Sequence, residues 1–209
     1  MDTTLQGPQK RHRFIVLEGV DGVGKSTVAQ AVADRLQGRN FRTPTATVEC
    51  FAASLPDQGL TYLRPYFDQY SRESPRTRFA FYLMCVSEAT CQIRHLLEDR
   101  DVVCDRFIAS TLAYHRALDP TLNGVDVSWA VELQPDLQIL LDVADGQEHQ
   151  QRLNGRGSRS DKLLEEDINF LNAVKTEFRK LGLYTIDTTQ RTVQSIVGEI
   201  VGLVPDLDT

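Results

Sequence analysis

Short apolar runs alternate with segments of helical periodicity along this chain. The nearly continuous apolar runs predict buried β-strands at residues 14–18, 45–50, 101–105, 137–143 and 184–187. Apolar residues at helical spacing predict helices at residues 25–36, 76–98, 109–117, 147–153, 163–181 and 193–203. Gly38 is expected to close the first of these helices. Strands too apolar for a half-exposed sheet, separated by helices, predict an α/β fold: a three-layer sandwich around a five-stranded parallel sheet.

Length and charge narrow this picture. The chain of 209 residues fits one domain with a short lid, which we expect at 14–209 after a disordered tail at 1–13. The tail is polar and lacks the apolar core of a secretory signal, which favours a cytoplasmic location and leaves a short organellar targeting role open. The net charge of −6 argues against a nucleic acid or an anionic membrane surface as partner. No apolar run is long enough to predict a membrane span.

Cysteine and histidine spacing gives no sign of a metal site. The four cysteines, three of them in apolar or helical patterns that predict buried, reduced thiols, are Cys50, Cys85, Cys91 and Cys104. The four histidines are scattered, and each is expected to be a surface or boundary residue: His12, His95, His115 and His149.

The strongest chemical signal is the segment F-I-V-L-E-G-V-D-G-V-G-K-S-T at 14–27, which contains G-x-x-x-x-G-K-S between a strand and a helix. Backbone N–H groups and the helix dipole make such a loop an anion site, and the context disfavours a chance glycine loop. Lys25 can reach the β- and γ-phosphates, and the Ser26 hydroxyl can bind Mg²⁺. The sequence therefore predicts an ATP and Mg²⁺ site. The residues expected to contact the nucleotide here are Gly19, Asp21, Gly22, Val23, Gly24, Lys25, Ser26 and Thr27.

A second polar group, D-R-F at 105–107, follows the predicted third strand and lies at the same sheet edge as the glycine loop. Asp105 can hold Mg²⁺ together with Ser26, and Arg106 can clamp a phosphate. A purely structural pair of Asp105 with Arg106 stays open on sequence grounds alone.

A basic, glycine-rich segment separates two predicted helices near residue 155. It contains Arg156 and Arg159, with Arg152 one turn earlier. These cations predict a lid at about 152–162 that neutralises charge on the transferring phosphoryl group. The alternative is a solvated basic loop.

Taken together, these segments resemble the thymidylate kinase family of P-loop nucleoside monophosphate kinases. The resemblance covers nearly the whole chain after residue 13. It is carried by the segment at 14–27 and by C-D-R-F-I-A-S-T-L-A-Y at 104–114, P-D-L-Q-I-L-L-D-V at 135–143, R-L-N-G-R-G at 152–157 and Y-T-I-D-T-T at 184–189. It implies the α/β sandwich already predicted, a mobile lid and a homodimer formed through the long helices.

The resemblance also implies roles for single residues. Asp21 would contact the acceptor sugar, whereas Asp105 and Arg106 would lie at the acceptor phosphate and the metal. Ser110 and Tyr114 would line the acceptor pocket. The region 187–190 would approach the adenine.

The lid gains a more specific role from the resemblance. Gly22 stands where some members carry an arginine, and members that lack it supply arginines from the lid. Arg152, Arg156 and Arg159 are therefore the implied substitutes.

The chain departs from the family pattern at two places. The family usually shows T-R-E-P-G-G-T after the second strand, whereas T-V-E-C-F-A-A-S-L-P-D at 47–57 keeps only Glu49 as a match. In the long helix, Cys85 stands where the family commonly presents an arginine to the thymine base, and a thiol cannot supply those hydrogen bonds. Phe81 can stack on a base or pack in the core. Both departures bear on the acceptor rather than on phosphoryl transfer.

The predicted function is transfer of the γ-phosphoryl group of ATP to a pyrimidine (deoxy)nucleoside monophosphate, with dTMP as the expected acceptor. The expected catalytic side chains are Lys25, Asp105, Arg106, Arg156 and Arg159. Two alternatives stay open: a kinase for another acceptor, such as a nucleoside, modified nucleotide or natural-product intermediate, and a non-catalytic nucleotide-binding protein. A hydroxyl acceptor needs a base, for which Glu49 is the candidate. The chain has no N-K-x-D guanine motif, which disfavours a GTPase.

Overall fold

The computed structural model describes residues 11–44, 73–155 and 168–204. Its centre is a five-stranded sheet with the strand order β2-β3-β1-β4-β5, and every neighbouring pair is parallel. The strands are β1 (Phe14–Glu18), β2 (Arg39–Arg42), β3 (Val102–Asp105), β4 (Leu137–Asp142) and β5 (Tyr184–Asp187). The predicted five-stranded parallel sheet is confirmed.

Six α-helices connect the strands within the described residues. They are α1 (Lys25–Leu36), α2 (Pro75–Leu96), α3 (Ile108–Leu118), α4 (Gly146–Asn154), α5 (Ile168–Lys180) and α6 (Val193–Leu203). Local sequence explains several helix starts. Proline occupies the first turn of α2, where its missing N–H costs nothing. The side chains of Asp145 and Thr192 accept backbone N–H groups at the starts of α4 and α6.

Both faces of the sheet carry apolar cores. Ile15 and Leu17 of β1 belong to a cluster with apolar residues of α1, α5 and α6. The alternate residues Phe14 and Val16 belong to a second cluster with residues of α2 and β3. Because successive side chains of a strand point to opposite faces, β1 needs an apolar residue at each of these positions. This double burial explains the unbroken apolar run that the sequence shows before Glu18.

The second strand is not where the apolar pattern predicted it. The predicted segment 45–50 lies outside the described residues, whereas β2 is formed by R-N-F-R at 39–42. This edge strand buries only Phe41, so it carries almost no apolar signal. The turn before it also differs from the prediction, because Gln37 rather than Gly38 adopts the left-handed conformation after α1. Gly38 instead permits a close approach, since a Cβ there would lie 2.6 Å from the carbonyl oxygen of Asp101.

The structure corrects the expectations for two histidines and for part of the predicted tail. His115 and His149 are buried, not surface residues. Of the cysteines in the described residues, Cys85 and Cys104 are buried and Cys91 is exposed. Arg13, placed in the predicted tail, donates to Asp101 from its backbone N–H and its guanidinium.

Residues 1–10 and the 163–167 part of a predicted helix lie outside the described residues. Among the residues that are described, no helix is long and apolar enough to cross a membrane.

Candidate active site

The glycine loop between β1 and α1 is built from backbone conformations that other residues avoid. Gly19, Gly22 and Gly24 have φ angles of 140°, 87° and 95°. Gly19 is the most constrained, because a Cβ at this position would lie 2.3 Å from the carbonyl oxygen of Leu141. The close passage of the loop over β4 therefore requires glycine at position 19.

Side-chain donors hold four backbone carbonyl oxygens of this loop. In a trans peptide the C=O and the following N–H point in opposite directions, so holding the carbonyls orients the N–H groups as well. The donor and acceptor pairs are Arg106 to Gly19 at 3.1 Å, Lys25 to Val20 at 2.6 Å, His149 to Asp21 at 2.6 Å and Thr188 to Val23 at 3.2 Å. With its carbonyls held in this way, the loop at the start of α1 has the fixed backbone that an anion site requires.

Lys25 begins α1 with a buried side chain. Besides its contact with Val20, its Nζ lies 3.9 Å from Asp21 Oδ1. The first turn of α1 contains no acidic residue of its own, and the positive end of the helix dipole lies at this loop. This combination favours phosphate binding at the loop.

Ser26 and Asp105 meet across the sheet edge, as the sequence predicted. The Ser26 hydroxyl donates a 2.6 Å hydrogen bond to Asp105 Oδ2. The other carboxylate oxygen, Oδ1, is buried and has no hydrogen-bond partner among the described residues. A buried, unpartnered carboxylate oxygen beside a hydroxyl suits a hard divalent cation, so these residues fit Mg²⁺.

Arg106 joins the glycine loop to the segment after β3. Its backbone adopts a left-handed φ of 70°, which turns the chain from β3 into α3. Its Nη2 lies 2.6 Å from Asp21 Oδ1, and its Nη1 donates to Ser110 Oγ at 3.2 Å. Burial alone would lower the pKa of Arg106, but Asp21 and then Tyr114 outweigh it and raise that pKa well above the usual value. Arg106 thus pairs with Asp21, not with Asp105 as the structural alternative supposed.

Glu18 is a buried residue that stabilises the carboxyl edge of the sheet at the start of α3. Its fully buried carboxylate accepts backbone N–H groups of Phe107, Ala109 and Ser110, and also the Ser110 hydroxyl. It therefore caps the N-terminus of α3, for which no local side chain provides a cap. Burial raises the pKa of Glu18, opposed by Ser110 and Arg106. Through this carboxylate, β1 fixes the position of the D-R-F segment.

The predicted acceptor residues divide into two groups. Ser110 and Tyr114 lie at the glycine loop, where the Tyr114 hydroxyl donates to Asp21 Oδ2 at 3.3 Å. Phe81 and Cys85 are buried in α2, with exposed fractions of 6% and 1%. Glu49 and the 47–57 segment lie outside the described residues.

A buried polar cluster that the sequence did not suggest lies between α2 and α3. Arg78 Nη1 donates to His115 Nε2 at 2.9 Å, and His115 Nδ1 donates to the carbonyl of Thr111 at 2.6 Å. Burial and then the charge of Arg78 lower the pKa of His115 to about 3. The imidazole is therefore neutral at neutral pH.

Arg152 of α4 is held by contacts with the segment after β5 and with its own helix. It donates to Thr188 Oγ1 at 3.1 Å and to the Thr188 carbonyl at 2.9 Å, and it pairs with Glu148 at 2.5 Å. Glu148 in turn accepts the backbone N–H of Gln190. The region predicted to approach adenine thus contacts α4. The other two arginines of the predicted lid, Arg156 and Arg159, lie outside the described residues.

Sequence reasoning missed the roles of Glu18, Arg42 and His149 in this site, and it placed Thr188 only within the region expected near the adenine. Glu18 had a usable signal, since it is the only charged residue in a buried strand next to the glycine loop. Arg42 was hidden by the misplaced second strand. β2 ends at Arg42 and is followed by Thr43 and Pro44, whereas the segment 47–57 compared with the family pattern lies outside the described residues. The Arg42 Nε lies 3.6 Å from Asp105 Oδ2.

Comparison with known proteins agrees with this geometry. The sequence model of the family described as thymidylate kinase matches residues 17–200. A thymidylate kinase of a Synechococcus species is 32% identical over 179 residues, covering 81% of this chain and 84% of that protein. A probable thymidylate kinase of Thermococcus gammatolerans is 28% identical over 205 residues, covering 91% and 95%. The structure of thymidylate kinase from Candida albicans has a TM-score of 0.64 at 19% identity, covering 93% of this chain and 91% of that one. The chain therefore belongs to the thymidylate kinase family of P-loop nucleoside monophosphate kinases.

Proposed function

We propose that this protein transfers the γ-phosphoryl group of ATP to dTMP and produces dTDP and ADP. Family membership supports the reaction, and one observation carries its assignment to these residues. The Asp21–Arg106 pair and the Ser26–Asp105 hydrogen bond bring the glycine loop and the end of β3 together at one edge of the sheet. A donor phosphate, a cation and an acceptor can meet there.

Phosphoryl transfer to a nucleoside monophosphate requires mainly positioning of the two substrates and neutralisation of their negative charge. The acceptor phosphate is already nucleophilic, so a general base is unnecessary, and in-line transfer is favoured by aligned reactants. Lys25 and the loop N–H groups would hold the ATP phosphates. Arg106, fixed by Asp21, would stabilise charge between donor and acceptor. Mg²⁺, held through Ser26 and Asp105, would neutralise negative charge on the phosphate oxygens.

Arg42 supports the acceptor side of this proposal. Its side chain is 50% exposed at the carboxyl end of β2. Its contact with Asp105 is made through Nε, and among the described residues the two terminal nitrogens of the guanidinium form no hydrogen bond. Arg106 and Arg152, by contrast, use their terminal nitrogens on protein groups. We assign Arg42 to the phosphate of the acceptor, which a guanidinium can bind with two parallel hydrogen bonds.

Two expectations stay predictions. Arg156 and Arg159 would complete the neutralisation of the transferring phosphoryl group from the lid. The homodimer would form through α2, and an apolar strip on the exposed face of this helix, with Ala80, Met84 and Cys91, supports that arrangement. Sedimentation of the purified chain measures the oligomeric state directly.

The function is tested by an ADP-release assay with Mg²⁺ and ATP. The acceptors are dTMP, dUMP, UMP, CMP, dCMP and the matching nucleosides, with Lys25→Ala as the blank. We expect the highest kcat/KM with dTMP and at least a thousandfold loss of kcat in Lys25→Ala, because the lysine contributes directly to charge stabilisation. Preference for another acceptor would contradict the assignment to dTMP. Normal kcat in a folded Lys25→Ala variant would contradict the mechanism.

A further inference from the structure

His149 of α4 forms a hydrogen bond with one backbone group of the glycine loop. Its Nε2 lies 2.6 Å from the carbonyl oxygen of Asp21, and the residue is 3% exposed. A carbonyl oxygen can only accept, so Nε2 carries the proton and donates. Residue 149 is 128 positions from Asp21 in the chain, which makes this a tertiary contact between α4 and the loop.

The His149 side chain also fills the space next to Gly22, the residue after Asp21. A Cβ placed on Gly22 would lie 3.0 Å from His149 Cδ2 and 3.0 Å from Leu153 Cδ2. Gly22 itself has a φ of 87°, which L-residues rarely adopt. Gly22 and His149 therefore pack against each other. Side chains of α4 occupy the space that a side chain at position 22 would need.

We propose that His149 is a positioning residue that orients the peptide between Asp21 and Gly22 for binding the phosphates of ATP. The peptide is planar and trans, so holding the Asp21 carbonyl toward α4 turns the Gly22 N–H away from α4. A fixed N–H in a glycine loop is worth more to an anion than one that must reorganise on binding. The proposal rests on the proposed function, because it assumes that the loop binds a nucleoside triphosphate.

The chemistry of the imidazole suits this role. Burial lowers the pKa of His149, opposed by its bond to the Asp21 backbone, and the nearby charges are Lys175, Asp142 and Lys25. A neutral imidazole with its proton on Nε2 donates the same hydrogen bond as a protonated one, but adds no charge next to the loop. Because α4 also carries Arg152, the His149 contact connects the helix that bears this arginine to the glycine loop.

Four variants separate the hydrogen bond from the packing. His149→Leu and His149→Met fill the space without a donor, and methionine adapts to the cavity where leucine does not. His149→Gln keeps an N–H near the position of Nε2. Gln151→Leu is the control, since Gln151 is exposed on the same helix. Melting temperatures establish that each variant is folded.

The measurement is direct binding of Mg²⁺–ATP by calorimetry without acceptor, followed by KM for ATP and for dTMP. We expect binding about tenfold weaker in the leucine and methionine variants, the size of one lost hydrogen bond. We expect His149→Gln and Gln151→Leu to bind within about twofold of the wild type, and KM for dTMP to stay unchanged throughout. Equal binding by all variants, or equal weakening in His149→Gln, would overturn the proposal while leaving the proposed function intact. A wild-type protein that does not bind Mg²⁺–ATP would overturn both.

Discussion

Arg106 Nη2 lies 2.6 Å from Asp21 Oδ1, with only 14% and 15% of the two side chains exposed. This pair links the loop after β1 to the segment after β3. Removing one member of a largely buried ion pair leaves an uncompensated charge, so the pair must be treated as one structural unit. Tyr114 completes this unit, because its ring lies 5.3 Å below the guanidinium of Arg106 and its hydroxyl donates to Asp21.

Arg106→Lys tests the geometry of the guanidinium. A lysine keeps the charge but cannot reach Asp21, the Gly19 carbonyl and the Ser110 hydroxyl together. We expect kcat with dTMP to fall about 100-fold, the size seen when one fixed donor to developing charge is lost. Arg94→Lys is the control, because Arg94 forms an exposed surface pair with Glu132. Unchanged kcat in a folded Arg106→Lys variant would show that charge alone suffices.

Asp105→Asn tests the metal site. The amide keeps the hydrogen bond to Ser26 but loses the anionic oxygen that is buried and has no hydrogen-bond partner in the described part of the chain. We expect the Mg²⁺ concentration for half-maximal rate to rise by about 10- to 100-fold. Asp34→Asn, an exposed change on α1, is the control. An unaltered Mg²⁺ titration would remove Asp105 from the metal site.

Arg42→Met tests the cation at the end of β2. Loss of a charge-assisted hydrogen bond costs about 1.5–3 kcal/mol, so we expect KM for dTMP to rise by about tenfold or more, with KM for ATP unchanged. Arg39→Met is a matched control, since Arg39 is exposed at the opposite end of the same strand. A rise in both KM values would place Arg42 at the donor instead, and no rise would exclude it from both substrates.

The first fifty residues show why sequence predicts one part of a site and not another. The bounds of β1 and α1 were predicted correctly, because an apolar run, a glycine motif and a helical repeat all agree there. The next strand, β2, is an edge strand with a single buried side chain, and such a strand has no periodic apolar pattern to find. Its misplacement concealed Arg42.

Contacts made across long distances in the chain explain the other omissions. Ser26 and Asp105 were predicted to meet, because parallel strands bring their carboxyl ends to one edge. His149 and Thr188 contact carbonyl oxygens of the loop that are far away in sequence. Every residue has a backbone carbonyl, so the residue type does not show which carbonyl accepts such a hydrogen bond. A lone polar residue in a helical repeat is therefore assigned to the surface until the packing of that helix is known.

His115 makes folding stability depend on pH. Its pKa is about 3 in the folded chain, against 6.5 for an unperturbed histidine. Between these values the unfolded state binds the additional proton, so stability is fully present above about pH 6.5 and is lost as the pH falls. We expect the wild type to lose up to about 1.4 kcal/mol more per pH unit than His115→Gln between roughly pH 6 and pH 4. Urea unfolding at each pH measures this difference, and His95→Gln is the control because 82% of the His95 side chain is exposed. Parallel pH profiles for the wild type and His115→Gln would mean that the buried imidazole does not control acid stability.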